Sequence, residues 1–155
     1  MIETDVAELL ESPCSLLVAT VSAAGVPEAT RGWGVELHGP DRLRVLLASN
    51  AHRTAVNLAA GGPIALTATH FRTLVSWQLK GHATATVEAT PGDRIRYDAF
   101  CAGCVRILHD ADGTAEDIIR RVIPPGIVAC EMVVEQIFDQ TPGPEAGARV
   151  APSGV

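Results

Sequence analysis

Apolar and polar positions alternate along three stretches of the chain, which is the period-two pattern of strands with one buried face. The three stretches are residues 27–37, 73–90 and 127–138. Three shorter runs are rich in β-branched or aliphatic residues and end at turn residues, as strands do. These runs are residues 16–21, 43–48 and 64–69. The pattern therefore predicts six strands.

The stretch at residues 73–90 alternates for eighteen positions, which exceeds the usual strand length of about 5–6 residues. A strand of this length has to bend, and Gly81 lies at its middle, where a glycine permits the bend. Long bent strands are typical of barrels. The pattern therefore favours a closed β structure.

Residues 27–37 place apolar side chains on the odd positions, with one exception, Arg31. A charge on an apolar strand face lies at an edge, extends to solvent, or pairs with a buried anion. On the opposite face, Gly32 and Gly34 leave the strand bare. Two glycines there either allow a ligand or another backbone to approach closely, or mark a β-bulge.

Four helices are predicted, one before the first strand and three between later strands. The first runs from Asp5 to Leu10, and the second covers residues 51–60 with Ser49 or Asn50 as its N-cap. The sequence Thr90-Pro91-Gly92-Asp93 opens a longer third helix, because it supplies a cap, a proline at the first position and an acidic third residue. Residues 114–117 open the fourth.

The chain has 155 residues, which is the size of one domain with its own core. We interpret residues 1–140 as that domain. Residues 141–155 contain three prolines and three glycines and show no periodicity, so they are interpreted as a tail or an extended arm.

Composition narrows the classes of function. Apolar residues make up 47% of the chain, which excludes a disordered protein, and the net charge of -6 has the wrong sign for a nucleic-acid binder without a basic cluster. The acidic N-terminus is unlike a secretory leader. The longest uncharged run, residues 54–71, is broken at Gly61-Gly62-Pro63, which argues against a membrane span. We therefore expect a cytoplasmic protein that binds neither nucleic acid nor membrane.

The start of the second helix carries an unusual pair of cations. His52 and Arg53 occupy its first turn, next to Ser49, Asn50 and Thr54, although the helix dipole favours acidic residues there. A bound anion would remove the conflict, because backbone N–H groups, a polar cap and an arginine are the groups that hold a phosphate monoester. The alternative is an exposed helix start whose two cations bind nothing.

Two further sets of residues invite a chemical interpretation. The polar face of the fifth strand presents Ser76, Gln78, Lys80 and His82, a row of donors suited to a heteroaromatic ring or a phosphate, or simply the solvated side of a sheet. Cys101 and Cys104 have the spacing of a redox or metal motif. Both lie on the apolar stripe of the third helix, so we interpret them as buried hydrophobic residues and predict no metal site.

Several short segments, taken in their order along the chain, resemble the pyridoxamine 5'-phosphate oxidase-like family of FMN-binding split barrels. The matching segments lie between residues 5 and 138 and comprise residues 16–21, Gly25-Val26-Pro27, Arg31, residues 43–48, residues 52–58 and residues 79–83. The resemblance implies a mainly β fold, a six-stranded split barrel with flanking helices. It also implies a homodimer that binds FMN in two grooves at the interface.

The resemblance assigns the phosphate end of FMN to three positions. Arg31 matches the basic residue near the flavin phosphate and ribityl chain, and Arg53 and Thr54 match the pair that contacts the phosphate. Two positions depart from the family pattern. Thr54 replaces the usual lysine, and Glu36 stands where a second basic residue is common.

The ring end of FMN is assigned to the third and fifth strands in the same way. Leu47, Ala48 and Ser49 fall where the third strand passes the flavin ring, and Ser76 and Gln78 fall where the fifth strand contributes polar contacts.

The resemblance implies a flavin-dependent oxidoreductase that acts on a small molecule. Only Arg149 lies beyond Arg121, so the arginine-rich segment that holds pyridoxal phosphate in the oxidase itself is missing and oxidation of vitamin B6 is not expected. A second hypothesis is a non-catalytic module of the same fold that binds a deazaflavin, haem, flavin or a partner protein. Haem would need an axial ligand, for which the candidates are His52, His70, His82 and His109.

Overall fold

The structure, a computed structural model, describes residues 2–150. Its six strands are β1 (Ser15–Val21), β2 (Pro27–Leu37), β3 (Arg42–Ala48), β4 (Pro63–Thr69), β5 (Ser76–Glu88) and β6 (Ile127–Asp139). Its helices are α1 (Thr4–Glu11), α2 (His52–Ala59), α3 (Pro91–Asp112) and α4 (Glu116–Arg120). The strands pair antiparallel in the order β1-β2-β3-β6-β5-β4 and close into a barrel. The predicted mainly β, six-stranded barrel with flanking helices is confirmed.

Alternate residues of every strand fill the barrel with aliphatic side chains. The fully buried members include Leu16, Val18, Leu43, Val45, Leu47, Leu66, Leu79 and Met132. α1 adds Val6 and Leu10 to the same cluster. The predicted strand pattern thus produces a packed interior, so any ligand has to bind outside the barrel.

A β-bulge in β2 corrects the prediction that its odd positions share one apolar face. The register with β3 shifts between Gly32 and Val35, and Gly34 has a φ of 130°, which a side chain rarely adopts. Before the bulge, Ala29 and Arg31 lie exposed on the outer face, and after it Val35 is buried. The paired glycines therefore mark a bulge, one of the two alternatives that the sequence left open.

The bend predicted in β5 is present at Gly81. The register with β6 shifts between Lys80 and Gly81, and a Cβ at Gly81 would lie 1.8 Å from the carbonyl oxygen of Val133. No side chain fits there. The alternation in residues 127–138 predicts Phe138 on the same face as Cys130 and Met132. The shift moves β6 by one position, so Ile137 is buried instead.

The predicted helices are all present, but two differ in detail. α2 has Ala51 as its N-cap and no side-chain cap, so the prediction of a Ser49 or Asn50 cap is wrong. The reason is that the backbone N–H of Ser49 still donates to Gly126 (2.9 Å), so the helix starts only after the chain has turned. α4 is five residues long and buries none of them. No helix within residues 2–150 is long and apolar enough to cross a bilayer.

Residues 141–150 fold back along β6. The N–H of Asp139 donates to Ala148 (2.9 Å), and the N–H of Val150 donates to Ile137 (2.8 Å). Val150 also packs against the barrel core. The remainder of the predicted tail, residues 151–155, lies outside the described residues.

A buried ion pair attaches α3 to the barrel. Asp93 completes a capping box with Thr90 at the start of α3 and accepts two hydrogen bonds from the Arg44 guanidinium of β3, at 2.9 and 2.6 Å. Arg44 also pairs with Glu131 of β6. Arg44 holds the pKa of Asp93 well below its usual range, and Asp93 in turn raises the pKa of Arg44. One carboxylate therefore both caps α3 and fixes its position on β3.

We expect Asp93→Asn to lower the free energy of unfolding by about 3 kcal/mol or more, because it leaves Arg44 buried without its main partner. Urea denaturation measures the change. The matched control is Asp117→Asn in the exposed Arg121–Asp117 pair (3.4 Å), where we expect less than about 0.5 kcal/mol.

The pH dependence of the same pair follows from the lowered pKa. The stabilisation is complete above the unfolded-state pKa of about 3.9 and is lost as the pH falls towards the folded value. The difference between wild type and Asp93→Asn should therefore narrow below about pH 4. A difference that stays constant down to pH 2, or a control as unstable as Asp93→Asn, would contradict the assignment.

Candidate functional site

Three elements, β2, β3 and α2, meet at one outer corner of the barrel. Gly32 pairs with Leu47 at the end of β3, which places Arg31 next to Ala48, and the turn after β3 leads directly into α2. We call this region the α2 corner and define it by Arg31, Ala48, Ser49, His52 and Arg53. Ala48, Ser49, His52 and Arg53 therefore follow one another at this corner, with Arg31 opposite Ala48.

The start of α2 offers donors without acceptors. Within residues 2–150, no carbonyl or side chain accepts from the backbone N–H of Arg53 or Thr54, and the first turn holds no acidic residue. Free N–H groups at a positive helix end attract anions. The His52 and Arg53 side chains are both exposed beside them. This arrangement can bind an anion from solvent.

A groove runs along α2 from this corner. Its first part is a cavity of about 500 Å³ lined by Ser22, Val26, Pro27, Glu28, His52, Arg53, Val56 and Asn57. The next cavity, of about 570 Å³, shares Ser22, Val56 and Asn57 with it and is lined mainly by small apolar residues. Together they form the α2 groove, which has a cationic end and an apolar end. Ligand sites commonly have these volumes.

Glu28 also belongs to this site. Its carboxylate lies 3.6 Å from the guanidinium of Arg53, whose side chain is 83% exposed. Glu28 stands at the start of β2, far from Arg53 in sequence, so no local pattern indicated the pair. An exposed pair at this distance is weak. A more highly charged anion can therefore replace Glu28 as the partner of Arg53.

Two of the predicted cofactor residues have buried side chains. Thr54 is 1% exposed, and Leu47 is 2% exposed inside the barrel. Their side chains are out of reach of a ligand at the outer surface, so only their backbone groups remain available. Asn50 is exposed in the turn before α2 and stays within reach of the corner.

Ser76 and Gln78 lie on the outer sheet face, away from the corner. The register places Arg31, Leu17, Thr67 and Gln78 in one row across β2, β1, β4 and β5. Adjacent strands are about 4.8 Å apart, so Gln78 lies about 14 Å from Arg31. Gln78 donates to Thr67 (3.1 Å), and Ser76 bonds Thr69 (2.9 Å) and Leu74 (2.8 Å). One chain does not bring them to the α2 corner.

A second, smaller cavity of about 70 Å³ lies between β1, β2, α3 and α4. Arg31 lines this cavity and not the α2 groove, whereas Arg53 lines the groove. Three thiols also line it, and burial raises the pKa of Cys14 and Cys104 to about 12 and that of Cys101 to about 11. The thiols therefore stay protonated at neutral pH, as the predicted apolar stripe of α3 implies.

The histidines differ in how they are held. The Nδ1 atoms of His70, His82 and His109 bond Thr73 (3.0 Å), Glu135 (2.7 Å) and Thr114 (2.9 Å) respectively. His52 lines the α2 groove and has no side-chain bond within the described part of the chain. Across residues 2–150, no group of three or more His, Cys, Asp or Glu residues is arranged to hold a metal ion.

No protein-family model matches the sequence, and no curated protein matches it either. Solved structures do match the fold. HupZ from Group A Streptococcus superposes with a TM-score of 0.59 at 19% identity, over 95% of this chain and 100% of that one.

Two other similar structures carry functional names. A protein named as a pyridoxamine 5'-phosphate oxidase, from Lactobacillus delbrueckii, has a TM-score of 0.55 at 15% identity and covers 88% of this chain and 92% of its own. An F420 reductase has a TM-score of 0.56 at 16% identity, over 84% and 93%. The chain therefore has the split-barrel fold of pyridoxamine 5'-phosphate oxidase-like proteins, and the resemblance seen in the sequence is confirmed at the level of the fold.

Proposed function

We propose that the protein is an FMN-binding oxidoreductase that acts on a small molecule, with the cofactor phosphate bound at the α2 corner. The observation that carries the proposal is the start of α2: two N–H groups without acceptors, His52 and Arg53 exposed beside them, and a groove leading away. The fold supports it, since the similar proteins include one named for a phosphate-bearing substrate and one named for F420.

Each part of the site has a role in this proposal. The N–H groups of Arg53 and Thr54 bind phosphate oxygens, and the Arg53 guanidinium leaves Glu28 to pair with the phosphate. Ser49 and Asn50 add a hydroxyl and an amide at the same end. The apolar part of the groove, around Val56, excludes water from the rest of the ligand. The residues present thus fit a phosphomonoester with a large apolar body.

When bound, FMN supplies the redox chemistry itself, so the protein has to bind, orient and shield it rather than provide an acid or a base. This agrees with the corner, where the charged groups are cations and one displaceable carboxylate. The deazaflavin F420 carries a phosphate as well and is the alternative cofactor for the same groups. Haem is the other alternative, with His52 as its ligand.

A homodimer is part of the proposal, because one chain leaves a large sheet face open. The outer sheet face consists of Leu17, Ala19, Ala29, Arg31, Ala65, Thr67, Gln78 and Lys80. Six of these eight side chains are uncharged, and Leu17 is 49% exposed. A second copy packed on this face would bring the polar residues of its own β5 towards the α2 corner. Gly32, Gly34 and Leu79 are buried within the chain and Trp77 packs on its core, so these residues lie outside this face.

Titration with FMN, followed by flavin absorbance near ~450 nm and fluorescence, tests the cofactor site. We expect Arg53→Gln to weaken binding about 10-fold or more, because it removes a charged hydrogen-bond donor. Glu28→Gln should bind FMN as tightly as wild type or several-fold more tightly, since it frees Arg53. Arg121→Gln, directly after α4, is the control and should change nothing.

Equal FMN affinity in wild type and Arg53→Gln would contradict the phosphate site. A haem Soret band that His52→Ala abolishes, in a protein that takes up no FMN, would favour haem.

Sedimentation tests the dimer. We expect a particle of about twice the 16.2 kDa chain mass, and we expect Ala19→Glu to shift it towards monomer by burying a charge in the interface. Ile95→Glu is the control, because Ile95 is 72% exposed on α3, outside the outer sheet face. A wild-type monomer at tens of micromolar, or an Ala19→Glu dimer as tight as wild type, would contradict this interface.

A further inference from the structure

We propose that the 70 Å³ cavity beneath α4 binds a short apolar carboxylate, and that Arg31 holds the carboxylate group. The inference stands on the cavity alone and concerns a site separate from the α2 groove.

The chemistry of the cavity selects an apolar ligand. Most of its walls are aromatic, aliphatic or thiol side chains, including Trp33, Phe71, Phe100 and Cys104, and Ser15 adds one hydroxyl. The volume is that of about two waters at ~30 Å³ each, or of a chain of about three carbons. Since the walls offer few hydrogen bonds, water gains little there and an apolar group is favoured.

The charge at the cavity selects an anion. Arg31 is exposed, forms no ion pair within residues 2–150, and lies close enough to Cys104 to lower its pKa against the larger effect of burial. No carboxylate lines the cavity, and the thiols are neutral. An arginine fork matches a carboxylate geometrically. Arg31 is therefore a cation next to an apolar void, with no partner of its own in the described chain.

The cover of the cavity is α4 and the residues after it. Ile119, Val122 and Ile123 line the cavity; α4 buries no residue and Val122 stays 65% exposed, whereas Ile123 packs against the buried cluster around Tyr97. The segment is fixed at its far end, where Gly126 accepts a hydrogen bond from the N–H of Ser49. A ligand can therefore enter by displacing α4, at a point adjacent to the α2 corner.

This arrangement gives the two arginines separate tasks. Arg53, at the α2 groove, serves the cofactor phosphate, and Arg31, at the small cavity, holds the carboxylate of a second ligand. The class of that ligand is then a small carboxylic acid whose apolar chain is about three carbons long.

NMR titration of the isotopically labelled full chain tests the site with butyrate, using butyramide as the uncharged isostere and sodium chloride to hold ionic strength constant. We expect butyrate to shift the Trp33 and Ile119 resonances with an affinity at least fivefold above that of butyramide. Cys104→Leu should fill the cavity and weaken butyrate binding at least tenfold. The control, Ala102→Leu on the exposed side of α3, should stay within twofold of wild type.

Arg31→Gln keeps the test decisive if Cys104→Leu fails to fold, because Arg31 is exposed. It should remove the preference for butyrate over butyramide. Equal affinities of the two probes in wild type, or unchanged butyrate binding in Cys104→Leu, would overturn the inference. FMN binding is measured on the same samples: FMN bound without butyrate overturns only the carboxylate site, whereas butyrate bound without FMN supports that site and overturns the cofactor proposal.

Discussion

The close approach of β5 and β6 at Gly81 is the constraint on which the rest of the structure depends. A Cβ at this position would lie 1.8 Å from the Val133 carbonyl oxygen, so only a glycine lets the strand bend there. Because it bends, β5 pairs with β4 on one side and with β6 on the other, and the barrel closes. Closure fills the interior with aliphatic side chains and leaves only the outer surface for ligands. The α2 corner is part of that surface.

Much of this architecture could be predicted from the sequence, because it depends on local patterns. The alternation in residues 127–138, the capping box at Thr90 and Asp93, and the bend at Gly81 are each encoded within a few neighbouring residues. Errors arose where distant segments decide the outcome. The N-cap of α2 is Ala51 because the N–H of Ser49 donates to Gly126, which lies about 77 residues away in the sequence. The buried face of β6 changed at Ile137 because the register with β5 shifts.

The candidate site shows the same division. The cations of α2 were visible in the sequence because they conflict with the helix dipole, a local effect. Their environment was not visible. Glu28 reaches Arg53 only through the pairing of β1 with β2 and the packing of α2 on the barrel. Arg31 precedes the bulge at Gly34, and the strand register sets its position. Ser76 and Gln78 lie across the sheet from the α2 corner. Only a second chain could bring its own Ser76 and Gln78 to that corner.

The central claim is that the α2 corner recognises a phosphate, and the most direct measurement compares two ligands that differ only there. Calorimetric titration of the wild-type protein with FMN and with riboflavin separates the phosphate from the flavin ring. The account predicts that FMN binds at least about 30-fold more tightly, since charged hydrogen bonds of about 1.5–3 kcal/mol each are lost with riboflavin, and that the ratio falls as salt rises. Equal affinities for the two ligands would contradict it.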